Sequence, residues 1–139
     1  MVDNLTPEQR RYAMSRVRTK DTDIEMAIRS ALHRRGLRFR KHVSKLAGKP
    51  DIVFPTAKVA VFIDGDFWHG YRFPAWRASV SPFWRDKIDK TRRRDRRNFT
   101  RLRRAGWAVI RVWQHEVHGN VGRTVDRIHS AVRTRSQKR

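Results

Sequence analysis

The sequence predicts an α/β fold, a mixed central β-sheet flanked by helices, and three features of the chain predict it. Short apolar, strand-like runs cluster in the middle of the chain. Segments with apolar residues at helical spacing bracket them on both sides. One long helical segment separates the third strand-like run from the fourth, so the chain must cross over before it rejoins the sheet. The order read from the sequence is α-α-β-β-β-α-β-α, and 139 residues suit one domain with one modest core.

Each element follows from local chemistry. Thr6, Pro7 and Gln9 supply an N-cap, a first-turn proline and a capping-box partner, predicting a short helix to about residue 17. Thr22 and Glu25 form a second capping box. Ile24, Ala27, Ile28, Ala31 and Leu32 then recur at helical spacing until Gly36. Residues 37–43 alternate apolar and basic, as an exposed strand does. After the turn at Gly48 and Pro50, residues 51–54 form a short buried strand that Pro55 stops. Residues 58–64 are nearly all apolar and predict the central strand. Residues 66–80 are irregular. Ser81 and Pro82 open a helix to about Arg104, with Trp84, Ile88, Thr91, Asp95, Phe99 and Leu102 on one face. Residues 107–113 give a fourth strand. From Asn120 to about Arg133 a last helix turns Val121, Val125, Ile128 and Val132 inward. Residues 1–139 read as a single domain in which residues 1–20 form a helical segment, assigned below with its basic residues to phosphate contact, and 134–139 a flexible basic tail.

Charge narrows the function. Lys and Arg number 34 against 13 acids, a formal net charge of +21. Nucleic acid is the natural partner of such a domain, because each neutralised phosphate releases a counterion. No apolar run is long enough to span a bilayer, and the N-terminus has no signal-peptide core, which points to a cytoplasmic protein without a membrane partner. The chain has no cysteine, excluding disulfides and thiolate zinc sites.

The candidate chemistry gathers where strands end. Asp51 opens one strand and Asp64 closes the next, so a hairpin-like pairing brings the two ends together. A carboxylate beside a backbone oxygen or a second carboxylate can hold Mg²⁺ next to a phosphate. Glu25, at the start of the preceding helix, reaches the same corner or serves only its capping box. His69 can take a proton from water, or simply cap the strand exit. Asp95 sits on an apolar helix face and needs a partner, for which Arg111 and His69 are the candidates. Two adjacent aromatics, Phe67 and Trp68, leave the central strand, and adjacent strand residues cannot both point inward, so at least one is expected to be exposed. The arginines of the long helix, Arg92, Arg93, Arg96 and Arg97 among them, form a solvated face or a phosphate-binding one, and their single sign favours phosphate.

The element order with Pro50-Asp51 resembles the restriction-endonuclease-like PD-(D/E)xK core, αβββαβ, here with an extra N-terminal helix and a C-terminal helix. More specifically, residues 64–70 (Asp-Gly-Asp-Phe-Trp-His-Gly) resemble the very short patch repair (Vsr) endonucleases. The resemblance extends through Phe83-Trp84, Lys87 and Asp95, and takes in Met14, residues 21–25, residues 48–51, residues 94–97, Gly106-Trp107 and Val112-Trp113. It spans roughly residues 10–116. It implies a Mg²⁺-dependent endonuclease that nicks double-stranded DNA on the 5′ side of the thymine in a T:G mismatch. It further implies Asp51 and the backbone carbonyl of Ile63 as Mg²⁺ ligands, His69 as general base or proton shuttle, Glu25 acting through metal-bound water, and Asp95 in support. Phe67, Trp68 and Met14 would wedge into the base stack. Arg16, Arg18, Lys20, Lys49 and the helix arginines would contact phosphates. Asp64 stands where some members carry His and the broader superfamily Lys.

One departure from the family bears on cofactors. Members typically hold a structural zinc through cysteines and histidine, where this chain has Asp66, Tyr71, Phe73 and His115. That set is not an ordinary tetrahedral zinc site, so no structural zinc is expected. An Asp66–His115 contact, with packing by Tyr71 and Phe73, would stand in its place. A monomer suits a nick in one strand, and a cytosine-5 DNA methyltransferase is the functional companion that the family implies. The competing readings are a nuclease cutting a specific unmismatched or branched DNA site, and a DNA-binding module of the same fold without activity.

Overall fold

A computed structural model describes residues 6–8 and 22–137. Helix α1 spans Asp23–Arg34 and is followed by strands β1 (Arg40–Lys41), β2 (Ile52–Phe54) and β3 (Val59–Asp64). A short helix α2 (Phe73–Trp76) runs into a 3-10 turn (Arg77–Ser79). Helix α3 (Pro82–Arg104), strand β4 (Ala108–Trp113), and helices α4 (Gln114–Gly119) and α5 (Val121–Gln137) complete the chain. The sheet is four-stranded in the order β1-β2-β3-β4. The first three strands are antiparallel neighbours, and β4 lies parallel to β3 with Asp64 opposite Trp113. This is the mixed sheet flanked by helices that the sequence predicts, and α3 is the crossover that makes the parallel pair possible.

The period of two along β3 divides the molecule. Val59 and Val61 pack with Ile28, Leu32, Val125 and Ile128 on the side of α1 and α5. Ala60 and Phe62 pack with Phe99 and Leu102 of α3 on the other side. Asp64 continues the second series, which aims its carboxylate at α3. A third cluster, Phe73, Trp84 and Ile88, closes over the start of α3 with Phe67, Trp68 and Trp76 against it. Among the described residues no helix is long and apolar enough to cross a membrane.

Several expectations need correction. Only Arg40–Lys41 of the alternating run 37–43 pairs into the sheet, because His42 adopts a left-handed backbone, φ 51, that leaves the strand path. The stretch 66–80 is not wholly irregular, since α2 and the 3-10 turn fold its aromatics together. Ser81 stands at the N-cap of α3, but its hydroxyl donates to Glu8 Oε2 at 2.9 Å and makes no side-chain cap. Helix α4 breaks the connection after β4, where Glu116 Oε1 accepts the Trp113 N–H at 3.1 Å. The last helix continues to Gln137, so most of the expected flexible tail is helical, held by Arg135 Nε donating to the Ala57 carbonyl at 3.1 Å. Of the expected N-terminal helix, Pro7 and Glu8 are helical, and the remainder, with Met14, Arg16, Arg18 and Lys20, lies outside the described residues.

Candidate active site

The site forms at the end of β3, where two clusters meet. The first centres on Asp51. Its backbone N–H donates to the Val61 carbonyl at 2.9 Å, which continues the β2–β3 ladder by one residue. Its Oδ2 accepts the Ile63 N–H at 2.7 Å. In a strand the N–H and C=O of one residue leave on the same side, so the Ile63 carbonyl also faces the Asp51 edge of β3. Burial pushes the Asp51 carboxyl up to about 7 against the pull of the Ile63 N–H, and the charges of Glu25 and Asp64 add to the rise. A carboxylate so held accommodates a cation well.

Glu25 comes to the same place from the first turn of α1. Its backbone N–H is capped by Thr22 Oγ1 at 3.3 Å, while its carboxylate turns to His42, whose Nε2 lies 2.8 Å from Oε2. The helix cap therefore uses the Glu25 backbone and leaves the carboxylate for the site. One oxygen or nitrogen from each of Glu25, His42 and Asp51 lies within 4.8 Å of the others, close enough to share one metal ion.

The second cluster is Asp64, His69 and Asp95, with the same mutual spacing. His69 Nδ1 lies 2.7 Å from Asp95 Oδ2. Burial raises the Asp95 carboxyl, but the bonds and charges of His69 and Arg111 outweigh it and hold the group below the usual carboxylate range. An ionised carboxylate only accepts, so Nδ1 carries the proton and Nε2, 3.4 Å from Asp64 Oδ1, is the ring atom left for proton transfer. Burial alone would lower the His69 pKa, yet the Asp95 bond and the charges of Asp64 and Asp95 keep it raised. Burial likewise raises Asp64, opposed by His69 and Arg111. Arg111 ties the cluster together, with Nε 2.7 Å from Asp64 Oδ2 and one terminal nitrogen 2.6 Å from Asp95 Oδ2. Both partners named for Asp95 from sequence are thus bonded to it. The guanidinium is itself laid over the Trp113 ring at 4.2 Å and near Phe99 at 5.0 Å.

Beside these clusters lie the aromatics. Phe67 and Trp68 are both half-buried, contrary to the expectation that one would stand exposed. The reason is that the chain turns at residues 66–71 instead of extending. Phe67 stacks on Trp76 at 5.6 Å, and Trp68 meets the buried Trp84 at 4.9 Å. Gly70 permits that turn. Its φ is +69, and a Cβ there would stand 2.7 Å from Arg92 Cδ and 2.8 Å from Ile88 Cγ2. Arg92 is half-buried over the Phe73 ring, while Arg93, Arg96, Arg97 and Lys49 are exposed to solvent. Asp66 Oδ1 lies 2.9 Å from His115 Nδ1, and the Tyr71 ring packs 4.4 Å from His115 and 5.0 Å from Trp113. Phe73 is fully buried in the aromatic cluster.

His42 is the site residue that sequence reading missed. It lay in a run read only as alternating and basic. The signal was register, because the Arg40–Val53 and Lys41–Ile52 pairs place His42 opposite Asp51, whose carbonyl accepts the His42 N–H at 3.0 Å.

Comparisons with known proteins give the chain's family. A family model described as DNA mismatch endonuclease Vsr matches residues 2–74. The type II nicking enzyme V.XorIIP of Xanthomonas oryzae pv. oryzae is 46% identical over 119 residues, 84% of this chain and 88% of that protein. The type II nicking enzyme V.NmeDIP of Neisseria meningitidis serogroup C is 41% identical over 135 residues, 95% and 91% of the two chains. The DNA mismatch endonuclease Vsr of Escherichia coli is 37% identical over 108 residues, 76% and 69%.

Proposed function

The chain belongs to the Vsr family and is a DNA endonuclease, and from that premise we infer that it nicks one strand of double-stranded DNA 5′ of the thymine in a T:G mismatch, using Mg²⁺. The observation that carries the reading is the convergence of the Asp51 carboxylate and the His69 imidazole on the last two residues of β3. Asp51 bonds the Ile63 N–H, and His69 faces Asp64. Hard oxygen donors suit Mg²⁺, and here they are the Asp51 carboxylate and the Ile63 carbonyl. When bound, the ion polarises the scissile phosphate and lowers the pKa of the attacking water.

The remaining work falls to the chain's own side chains. His69 Nε2 accepts the proton of the attacking water, while Asp95 keeps Nδ1 protonated and the ring oriented. Asp64 and Arg111 hold the other edges of that arrangement. Arg92, Arg93, Arg96, Arg97 and Lys49, with Arg16, Arg18 and Lys20, neutralise phosphates and set the register of the duplex. Phe67 and Trp68 enter the base stack beside the mismatch, and Met14 takes part with them. The half-buried rings are presented by Trp76 and Trp84 as a rigid wedge, which limits the entropy lost on insertion. The Asp66–His115 bond and the Tyr71 packing hold the wedge segment to α4 without a structural zinc. The enzyme acts as a monomer in the cytoplasm, downstream of a cytosine-5 DNA methyltransferase whose deaminated product is the T:G pair.

A nicking assay tests this with labelled T:G, T:A and C:G duplexes in Mg²⁺ or EDTA. Cutting should be confined to T:G with Mg²⁺, and Phe67→Ala should lower the preference for T:G over T:A by about tenfold, a loss of roughly 1–2 kcal/mol of discrimination. Equal cutting of all duplexes by the wild-type protein sinks the mismatch assignment.

A further inference from the structure

We propose that α3 beyond Asp95 carries a backbone-phosphate groove, in which Arg101 and Arg104, assisted by Asn98 and Thr100, hold the duplex at a distance from the cut. This rests on the reading that the chain cuts duplex DNA at the end of β3. After Asp95 the helix has five arginines and no acid as far as Arg104. Arg96, Arg97, Asn98, Thr100, Arg101 and Arg104 line an open groove of about 480 Å³. The groove begins beside the site. A Cβ on Gly48 would stand 3.2 Å from Asn98 Cβ, so the turn that leads through exposed Lys49 into Asp51 packs against α3. A rise of about 1.5 Å per residue puts Arg101 and Arg104 about 9 and 13 Å beyond Asp95 along the helix axis. On a duplex that rises about 3.4 Å per base pair, that is about three to four base pairs from the cut.

The plainer reading is that these cations offset the dipole at the end of α3. That effect falls off within the last turn, whereas the groove starts at Arg96. These arginines are also placed unlike those elsewhere. Arg35, Arg77 and Arg127 each meet a carboxylate, of Asp126, Asp89 and Glu116 in turn, and Arg103 lies over the Phe99 ring. Among the described residues Arg96, Arg97, Arg101 and Arg104 make no hydrogen bond or ion pair. The nearest acid in sequence, Asp95, is turned inward to His69 and Arg111. Asn98 and Thr100 add uncharged donors suited to phosphate oxygens. A groove ringed by guanidinium groups without a counter-charge fits a polyanion.

The test measures binding of the full chain to fluorescent T:G and T:A duplexes in EDTA over a range of salt. Each phosphate contact contributes about 0.9 to the fall of log affinity with log salt. Arg101→Gln with Arg104→Gln should make that slope shallower by about 1.8 on both duplexes, because phosphate contacts carry no sequence information. Arg101→Lys with Arg104→Lys should keep it. Arg123→Gln with Arg133→Gln removes the same charge from α5, on the other side of the sheet, and should leave the slope unchanged. Trimming one end of the duplex to less than the groove's reach should erase the difference between wild type and the glutamine variant, and trimming the other end should not. An unchanged slope in the glutamine variant, an equal change in the α5 control, or a difference that survives trimming at both ends overturns the proposal. The T:G assignment fails separately, in the nicking assay, because binding in EDTA involves no cutting.

Discussion

Two clusters of the same composition class, carboxylates around an imidazole, lie side by side at the end of β3, yet they differ in what neutralises them. Asp64, His69 and Asp95 have Arg111 built in, stacked on Trp113 and bonded to both acids. Asp51, with Glu25 and His42, has the Ile63 N–H and an imidazole, and its carboxyl is pushed up to about 7 by burial. The first cluster is complete as folded and fixes the orientation of His69. The second stores desolvation that, in the proposed reading, a divalent ion would relieve on binding. The difference divides one corner into a part that is neutralised as folded and a part that, in the proposed reading, a cofactor completes.

Removing the charge of the second cluster gives the largest expected effect. Asp51→Asn should lower nicking by about a thousandfold or more, the scale of a lost metal contact. The same substitution should raise the melting temperature in EDTA at pH 8, because Asn can still accept the Ile63 N–H without a buried charge. The sign is fixed by linkage. Asp51 is raised from about 4 to about 7, so its contribution to stability is full below pH 4 and lost as pH rises through 7. His69, also raised, loses its contribution as pH rises past its own shifted value above 6.5. Metal-free wild type should therefore lose about 2 kcal/mol between pH 5 and pH 8, and Asp51→Asn should show a shallower slope in chemical denaturation. Asp95 is lowered, and what it contributes disappears only as pH falls below about 4, outside this window. A wild-type protein equally stable at the two pH values would remove the idea of stored desolvation.

The first cluster should respond in the opposite direction. Arg111→Gln leaves Asp64 and Asp95 without their shared cation and should cost roughly 3 kcal/mol in urea denaturation. Arg111 is 23% exposed, and water reaching the gap makes that figure an upper one. Arg111→Lys keeps the charge but cannot bond both acids in the same fork, so an intermediate loss is expected. If Arg111→Gln proves as stable as the wild type, the contrast between the clusters fails.

Much of this was legible in the chain because it depends on period and on turn chemistry. The nearly continuous apolar run 58–64 marked the central strand and Asp64 as its closing residue, and the helical spacing in α3 put Asp95 on the same face as Phe99, whence its pairing with Arg111 or His69 followed. What stayed hidden depended on backbone conformation at single residues. Nothing local in residues 37–43 announces that His42 turns to a left-handed φ and so leaves β1 after two residues. Likewise, the packing of Phe67 and Trp68 required knowing that Gly70 closes a turn against Ile88 and Arg92. Helix α4 was missed because residues 114–119 carry little apolar pattern of their own, with Val117 their one buried hydrophobic.

The smallest effect concerns Thr22, and it separates shape from charge inside the second cluster. Its hydroxyl accepts the Glu25 N–H at 3.3 Å, and its removal in Thr22→Ala should cost about 1 kcal/mol, as other N-cap losses do. The Glu25 carboxylate is held independently by His42 at 2.8 Å. Divalent-ion affinity measured by calorimetry should consequently change less than about threefold in Thr22→Ala, under the scale of a lost supporting contact to a ligand. A larger fall would mean that the helix cap, and not His42, sets the position of Glu25. The second cluster would then depend on the end of α1 in the way that the first depends on Arg111.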